Sequence, residues 1–172
     1  NIEIIKQLLS TNKIDINAKT SGDVQKTPLH IAIGEDLEVF KFLLDQSDID
    51  VNADYISNNF KARAIHLAGH GSTIKFFELL LKHPKIDLNA KCFNGSRIKN
   101  KERNLLQIAV DNNDPEVIRI LLSQPKFIIG IAELNELIRD NSLEMQKRIN
   151  EDRKYGYKST YHPVENYKEI DK

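Results

Sequence analysis

The stretch TPLHIAIGEDLEVFKFLL, residues 27–44, holds two short apolar-periodic segments separated by a break. Pro28 suits the first turn of a helix, where its missing N–H leaves no bond unmade and its φ is already helical. Thr27, one position earlier, is a good N-cap. A first helix is therefore predicted from Pro28 until Gly34 breaks it. A second runs from Leu37 to about Asp45, with Leu37, Phe40, Leu43 and Leu44 spaced to cover one face. Asp50-Val51-Asn52 then reads as an extended stretch entering a turn, where asparagine tolerates positive φ.

Outward from this stretch the same pieces recur. IDINA starts at Ile14, IDVNA at Ile49 and IDLNA at Ile86, 35 and 37 residues apart. A leucine pair precedes each at one distance: Leu8-Leu9, Leu43-Leu44 and Leu80-Leu81. A fourth pair, Leu121-Leu122, leads to Phe127, where the block has decayed to FIIG. PLHIA (28–32), AIHLA (64–68) and LLQIA (105–109) align in the same phase. Two motifs in register mark an internal repeat. A unit that cannot bury its own apolar face stacks on its neighbours, so Leu8, Leu43, Leu80 and Leu121 are expected along one spine.

The TPLHIA block, LEVFKFLL and DVNA together resemble the ankyrin repeat, over roughly residues 1–127 and most sharply in 26–53. The resemblance implies an all-α fold, an α-solenoid of stacked helix-turn-helix units with extended finger loops. Residues 1–20 are then the second half of a truncated repeat, 21–56 and 57–94 are repeats, and 95–130 is a divergent repeat with a long finger. Capping helices follow in 131–154 and a Tyr-rich polar tail in 155–172. In the family the motif threonine and histidine hydrogen-bond with each other and with the backbone. Thr27, Pro28, His30 and His66 are accordingly read as structural. Gln107 takes the histidine's place in the last unit; an amide replaces an imidazole in hydrogen bonding but not in proton transfer near pH 7. Asn17, Asn52 and Asn89 are read as turn residues, although the family includes substrates of an asparaginyl hydroxylase.

Composition narrows the function. Lys+Arg and Asp+Glu are equal at 25 each, so no global field draws the chain to nucleic acid or a membrane surface. The single cysteine excludes an intrachain disulfide and fits a reducing, cytoplasmic compartment. No apolar run approaches the ~20 residues that span a bilayer. The opening on Asn1 is read as a cut in a longer protein, with end-to-end self-association at the incomplete first unit as the other expectation. Catalytic motifs with Gly-rich or nucleophile-elbow spacing are missing from the sequence. His66 and His70 stand four apart, but His66 is the turn brace and nothing completes a metal set. Cys92 beside a histidine such as His83 would suggest a thiol nucleophile; in a finger loop it reads as a surface thiol. No enzyme activity, cofactor or metal is expected.

A protein-interaction scaffold is the function the resemblance implies, with the partner on the concave face of fingers and helix ends. The two long fingers are DYISNNFKAR (54–63) and KCFNGSRIKNKER (91–103), the latter basic and with an aromatic ring. They offer Tyr55, Asn58, Phe60 and Arg63, then Phe93, Arg97, Lys99 and Lys101. Near the helix ends lie Glu35, His70, Asp111 and Asn112. The alternative is the substrate-targeting region of a larger secreted bacterial effector or enzyme, working in a host cytosol, with its catalytic domain outside this fragment.

Overall fold

The structure, a computed structural model, describes residues 2–11, 13–69, 71–94, 101–130, 134–135 and 137–139. It divides into two compact units, 1–128 and 129–172. The first contains helices α1 (Ile2–Ser10), α2 (Pro28–Ala32), α3 (Leu37–Leu44), α4 (Ala64–Leu67), α5 (Ile74–Lys82), α6 (Leu105–Asp111) and α7 (Pro115–Leu122). Strands β1 (Val24–Gln25), β2 (Asp54–Ser57), β3 (Phe60–Arg63), β4 (Cys92–Asn94) and β5 (Lys101–Arg103) lie between them.

The helix boundaries follow from local chemistry. Gly34, at φ 82°, turns the chain after α2 in a conformation that side chains with a Cβ disfavour. Asp36 then caps α3, its carboxylate accepting from Glu38 N at 3.0 Å and Val39 N at 3.1 Å. Between α6 and α7 the left-handed position falls to Asn113 at φ 53°, and Asp114 is the cap.

The helices pack in pairs and across pairs. α2 packs on α3 and α6 on α7, while α4 lies between α2 and α6 and α5 lies against α3. The Phe40 and Phe76 rings meet edge to face at 5.0 Å across the α3–α5 seam. Leu43, Leu80 and Leu121 are 2%, 0% and 0% exposed and belong to one core. Leu8, expected in the same spine, is 47% exposed, because α1 buries none of its residues; Leu9 packs on the core instead.

An asparagine ladder joins successive units. Asn17 donates through Nδ2 to Asp48 O at 2.8 Å and accepts at Oδ1 from Asp50 N at 2.8 Å. Asn52 repeats this with Lys85 O at 2.7 Å and Asp87 N at 3.0 Å. Asn89 does so with Lys126 O at 3.2 Å and Ile128 N at 3.1 Å. Each amide thus clamps the backbone on both sides of one apolar residue in the next unit: Ile49, Ile86, then Phe127.

The expected all-α class is wrong. The fingers are not loops but an antiparallel sheet of five strands in the order β1-β2-β3-β4-β5. Within a finger, Ser57 pairs with Phe60 around a two-residue turn whose Asn58 has φ 45°. Between fingers, Val24 pairs with Ser57 and Phe60 with Asn94. Fingers recurring at one place in each unit lie side by side, and their backbone groups pair rather than stay unbonded. In the second unit, 134–135 and 137–139 are helical, with Leu134 and Ile138 exposed. The rest of the predicted cap and all of the tail lie outside the described residues.

Candidate functional site

Three helices start with the same brace, an N-cap N–H donating to the side chain three residues on, and the third is reciprocal. Thr27 N donates to His30 Nδ1 at 3.1 Å, and the Thr27 hydroxyl lies 2.8 Å from the same nitrogen. Arg63 N donates to His66 Nδ1 at 3.1 Å. Asn104 N donates to Gln107 Oε1 at 2.9 Å, and Gln107 N donates back to Asn104 Oδ1 at 2.9 Å. With Nδ1 accepting, the proton of each neutral imidazole sits on Nε2. His66 spends it on Ala90 O at 3.1 Å, reaching the end of its own unit just before the next finger. His30 Nε2 is turned towards the Ala53 carbonyl without completing that bond.

Burial pushes His30 down to about 4, against the opposing pull of the Ala53 carbonyl. Burial also lowers His66, helped by the Arg63 charge and opposed by the Ala90 carbonyl. These are neutral, buried hydrogen-bonding groups. Cys92, expected at the surface, is instead buried in β4, 3% exposed, opposite Arg103 in β5. Its burial raises the thiol, partly offset by the Arg103 charge. Desolvation disfavours the thiolate that a nucleophile would need. Among the described residues no His, Cys, Asp and Glu gather in a group able to hold a metal ion.

The sheet distributes the expected partner residues over its two faces. Cross-strand neighbours share a face and successive residues alternate. Tyr55 opposes Ala62, so Tyr55, Phe60 and Ala62 lie on the face turned towards the helices. There the Tyr55 ring stands 5.8 Å from Phe60 and 5.9 Å from His30, and Lys26 Nζ lies 5.6 Å from the Tyr55 centroid. Arg63 and Phe93 are on the other face, Arg63 opposite Asp54 and Phe93 opposite Lys61. Arg63 Nη1 is 2.7 Å from Asp87 Oδ2, which ties this finger to the turn after α5.

Asn58 is exposed at the hairpin tip and Glu35 at the turn before α3. Asp111, at the end of α6, forms an ion pair with Arg103, and Asn112 caps that helix. Lys101 pairs with Asn94 in the sheet register. His70, Arg97 and Lys99 lie outside the described residues. Sequence reasoning missed Lys26 and Arg103 as members of this surface. Each immediately precedes the N-cap of its unit, Thr27 and Asn104, and that shared position was the available signal.

A shallow groove of about 620 Å³ opens elsewhere, between the ends of α3 and α5, lined by Lys41, Leu44, Lys82 and His83. Its lysines complement the carbonyl ends of those two helices. No helix among the described residues is long and apolar enough to cross a membrane.

The ankyrin repeat family model matches residues 25–55, the segment holding the first full brace, α2, α3 and the second asparagine rung. Human transient receptor potential cation channel subfamily A member 1 is 28% identical over 125 residues. That alignment takes in 72% of this chain and 10% of the relative, so the chain spans about a tenth of the protein it matches. Ankyrin repeats generally mediate protein–protein interaction. The matched repeat is flanked by units that carry the same braces and the same ladder, and together these findings support an ankyrin-repeat protein.

Proposed function

We propose that this chain is a protein-binding module whose partner docks on the helix-facing side of the finger sheet and the adjoining helix ends. The observation that carries the reading is the half-exposed Tyr55–Phe60 pair, held edge to face at 5.8 Å with Lys26 alongside. Rigid aromatic side chains set in a mixed polar surface are the usual anchors of protein interfaces. Asn58 at the finger tip and Glu35, Asp111 and Asn112 at the helix ends frame the same surface. Arg63 and Phe93 face the other way and are left out of it.

The test is to identify a protein retained by the immobilised chain and measure its affinity for Tyr55→Ala and Phe60→Ala variants. Loss of at least about 2 kcal/mol on truncating a true anchor is expected. Unchanged affinity in both variants, with the folded state intact by circular dichroism, would place the interface elsewhere.

A further inference from the structure

The sheet sorts its charges by face. Cys92 opposes Arg103, and alternation carries the Tyr55–Phe60 face through Ala62 and Cys92 to Arg103. Lys26 joins the same face at the far end, over the Tyr55 ring. The two strand carboxylates, Asp54 and Glu102, both belong to the opposite face, in register with Arg63 and Phe93. There they are matched: Asp54 with Lys61 at 2.9 Å, Glu102 with Lys91 at 4.0 Å. The helix-facing side therefore carries Lys26, Arg103 and two aromatic rings, with no strand carboxylate among the described residues.

Of the two helix-end carboxylates that frame this side, Glu35 and Asp111, the second pairs with a strand cation. Asp111, the last residue of α6, pairs with Arg103, which stands just before the N-cap of the same helix. The pair joins the two ends of α6. In the first full unit the corresponding positions hold Lys26 and Gly34. Lys26 has no carboxylate partner among the described residues and lies on Tyr55 instead. The Asp111 side chain is 43% exposed, so water screens the pair and little energy opposes its exchange.

We propose that this face takes an extended acidic segment of a partner protein, and that Asp111 is a built-in stand-in for its carboxylate. The proposal rests on the protein-binding reading above and adds the chemistry of the partner. One carboxylate of the segment replaces Asp111 on the Arg103 guanidinium, whose planar fork matches it. A second meets Lys26, and an apolar side chain between them rests on Tyr55 and Phe60.

The experiment measures fluorescence anisotropy of the full chain with a labelled synthetic peptide of glutamates interspersed with leucines. Its lysine counterpart and inorganic polyphosphate are the comparison probes. The glutamate peptide should bind and the lysine peptide should not. Arg103→Gln and Lys26→Gln should each weaken binding about tenfold, the scale of one charged contact. Asp111→Asn should tighten it several-fold, because the competing carboxylate is gone. Lys61→Gln, on the opposite face, should change nothing, and thermal melts confirm that the variants fold.

Equal binding of the lysine peptide, or an Asp111→Asn variant that does not tighten, overturns the proposal. Polyphosphate binding tighter than the glutamate peptide with the same Arg103 dependence also overturns it, in favour of a general anion site. A protein partner that is lost on Tyr55→Ala but kept on Arg103→Gln sinks the acidic specificity alone. A partner indifferent to Tyr55 and Phe60 sinks the docking face itself.

Discussion

Asn104 and Gln107 exchange two hydrogen bonds of 2.9 Å across the first turn of α6. The Gln107 amide oxygen fills the acceptor role that His30 and His66 fill with Nδ1. Either partner truncated leaves a helix-start N–H unbonded, so Asn104→Ala and Gln107→Ala should each cost about 1 kcal/mol in urea denaturation. The double variant should cost less than the sum, because one brace is being removed twice. Full additivity would show that the two residues act separately.

Acid should weaken the fold through the histidines. The folded chain holds His30 at about 4, below the roughly 6.5 of an unfolded histidine. Between those values the unfolded chain takes up a proton that the folded chain refuses. Stability is therefore full above about pH 6.5, falls as pH drops through that window, and levels off below about 4. His30 alone accounts for about 2 kcal/mol of loss by pH 5, and His66 adds loss of the same sign. Urea midpoints at pH 7 and pH 5 measure this; His30→Gln, whose amide does not titrate, should shrink the difference to the His66 share.

The middle rung of the ladder should matter more than the last. Asn52 makes two cross-unit bonds, to Lys85 O at 2.7 Å and from Asp87 N at 3.0 Å. Removing both in Asn52→Ala should cost about 1–3 kcal/mol. The Asn89 bonds are longer, at 3.2 and 3.1 Å, and Asn89→Ala should cost less. Chemical denaturation of the two variants side by side decides the order.

Cys92 should be inert in the native state. Burial in β4 excludes reagent and disfavours the thiolate. An aromatic disulfide reagent should react only as fast as the chain opens, and at full speed in denaturant. Rapid native-state labelling would contradict the burial.

Much of this was legible in the residues. Pro28 and Gly34 announced α2 and its end, because capping and turn chemistry act within a few positions. The apolar spacing pointed to Leu43, Leu80 and Leu121 as buried. The sheet was not legible, because its register joins residues such as Phe60 and Asn94 that local patterns do not connect. DYIS and FKAR also alternate weakly, with polar groups on both faces, so a period of two did not stand out. Cys92 was misplaced for the same reason: its burial comes from a strand pairing, not from its neighbours in sequence. The candidate surface was half visible. Tyr55 and Phe60 could be named from the finger, whereas the Arg103–Asp111 bridge spans a whole helix.

The ladder makes the array a chain of stiff links in series. Beside the apolar packing between helices, a planar amide bonded on both sides spans each joint, so tension along the stack is shared by paired bonds there. The joint at 126–128 has the longest bonds of the three and is the slackest. Pulled or heated, the ladder should part first there.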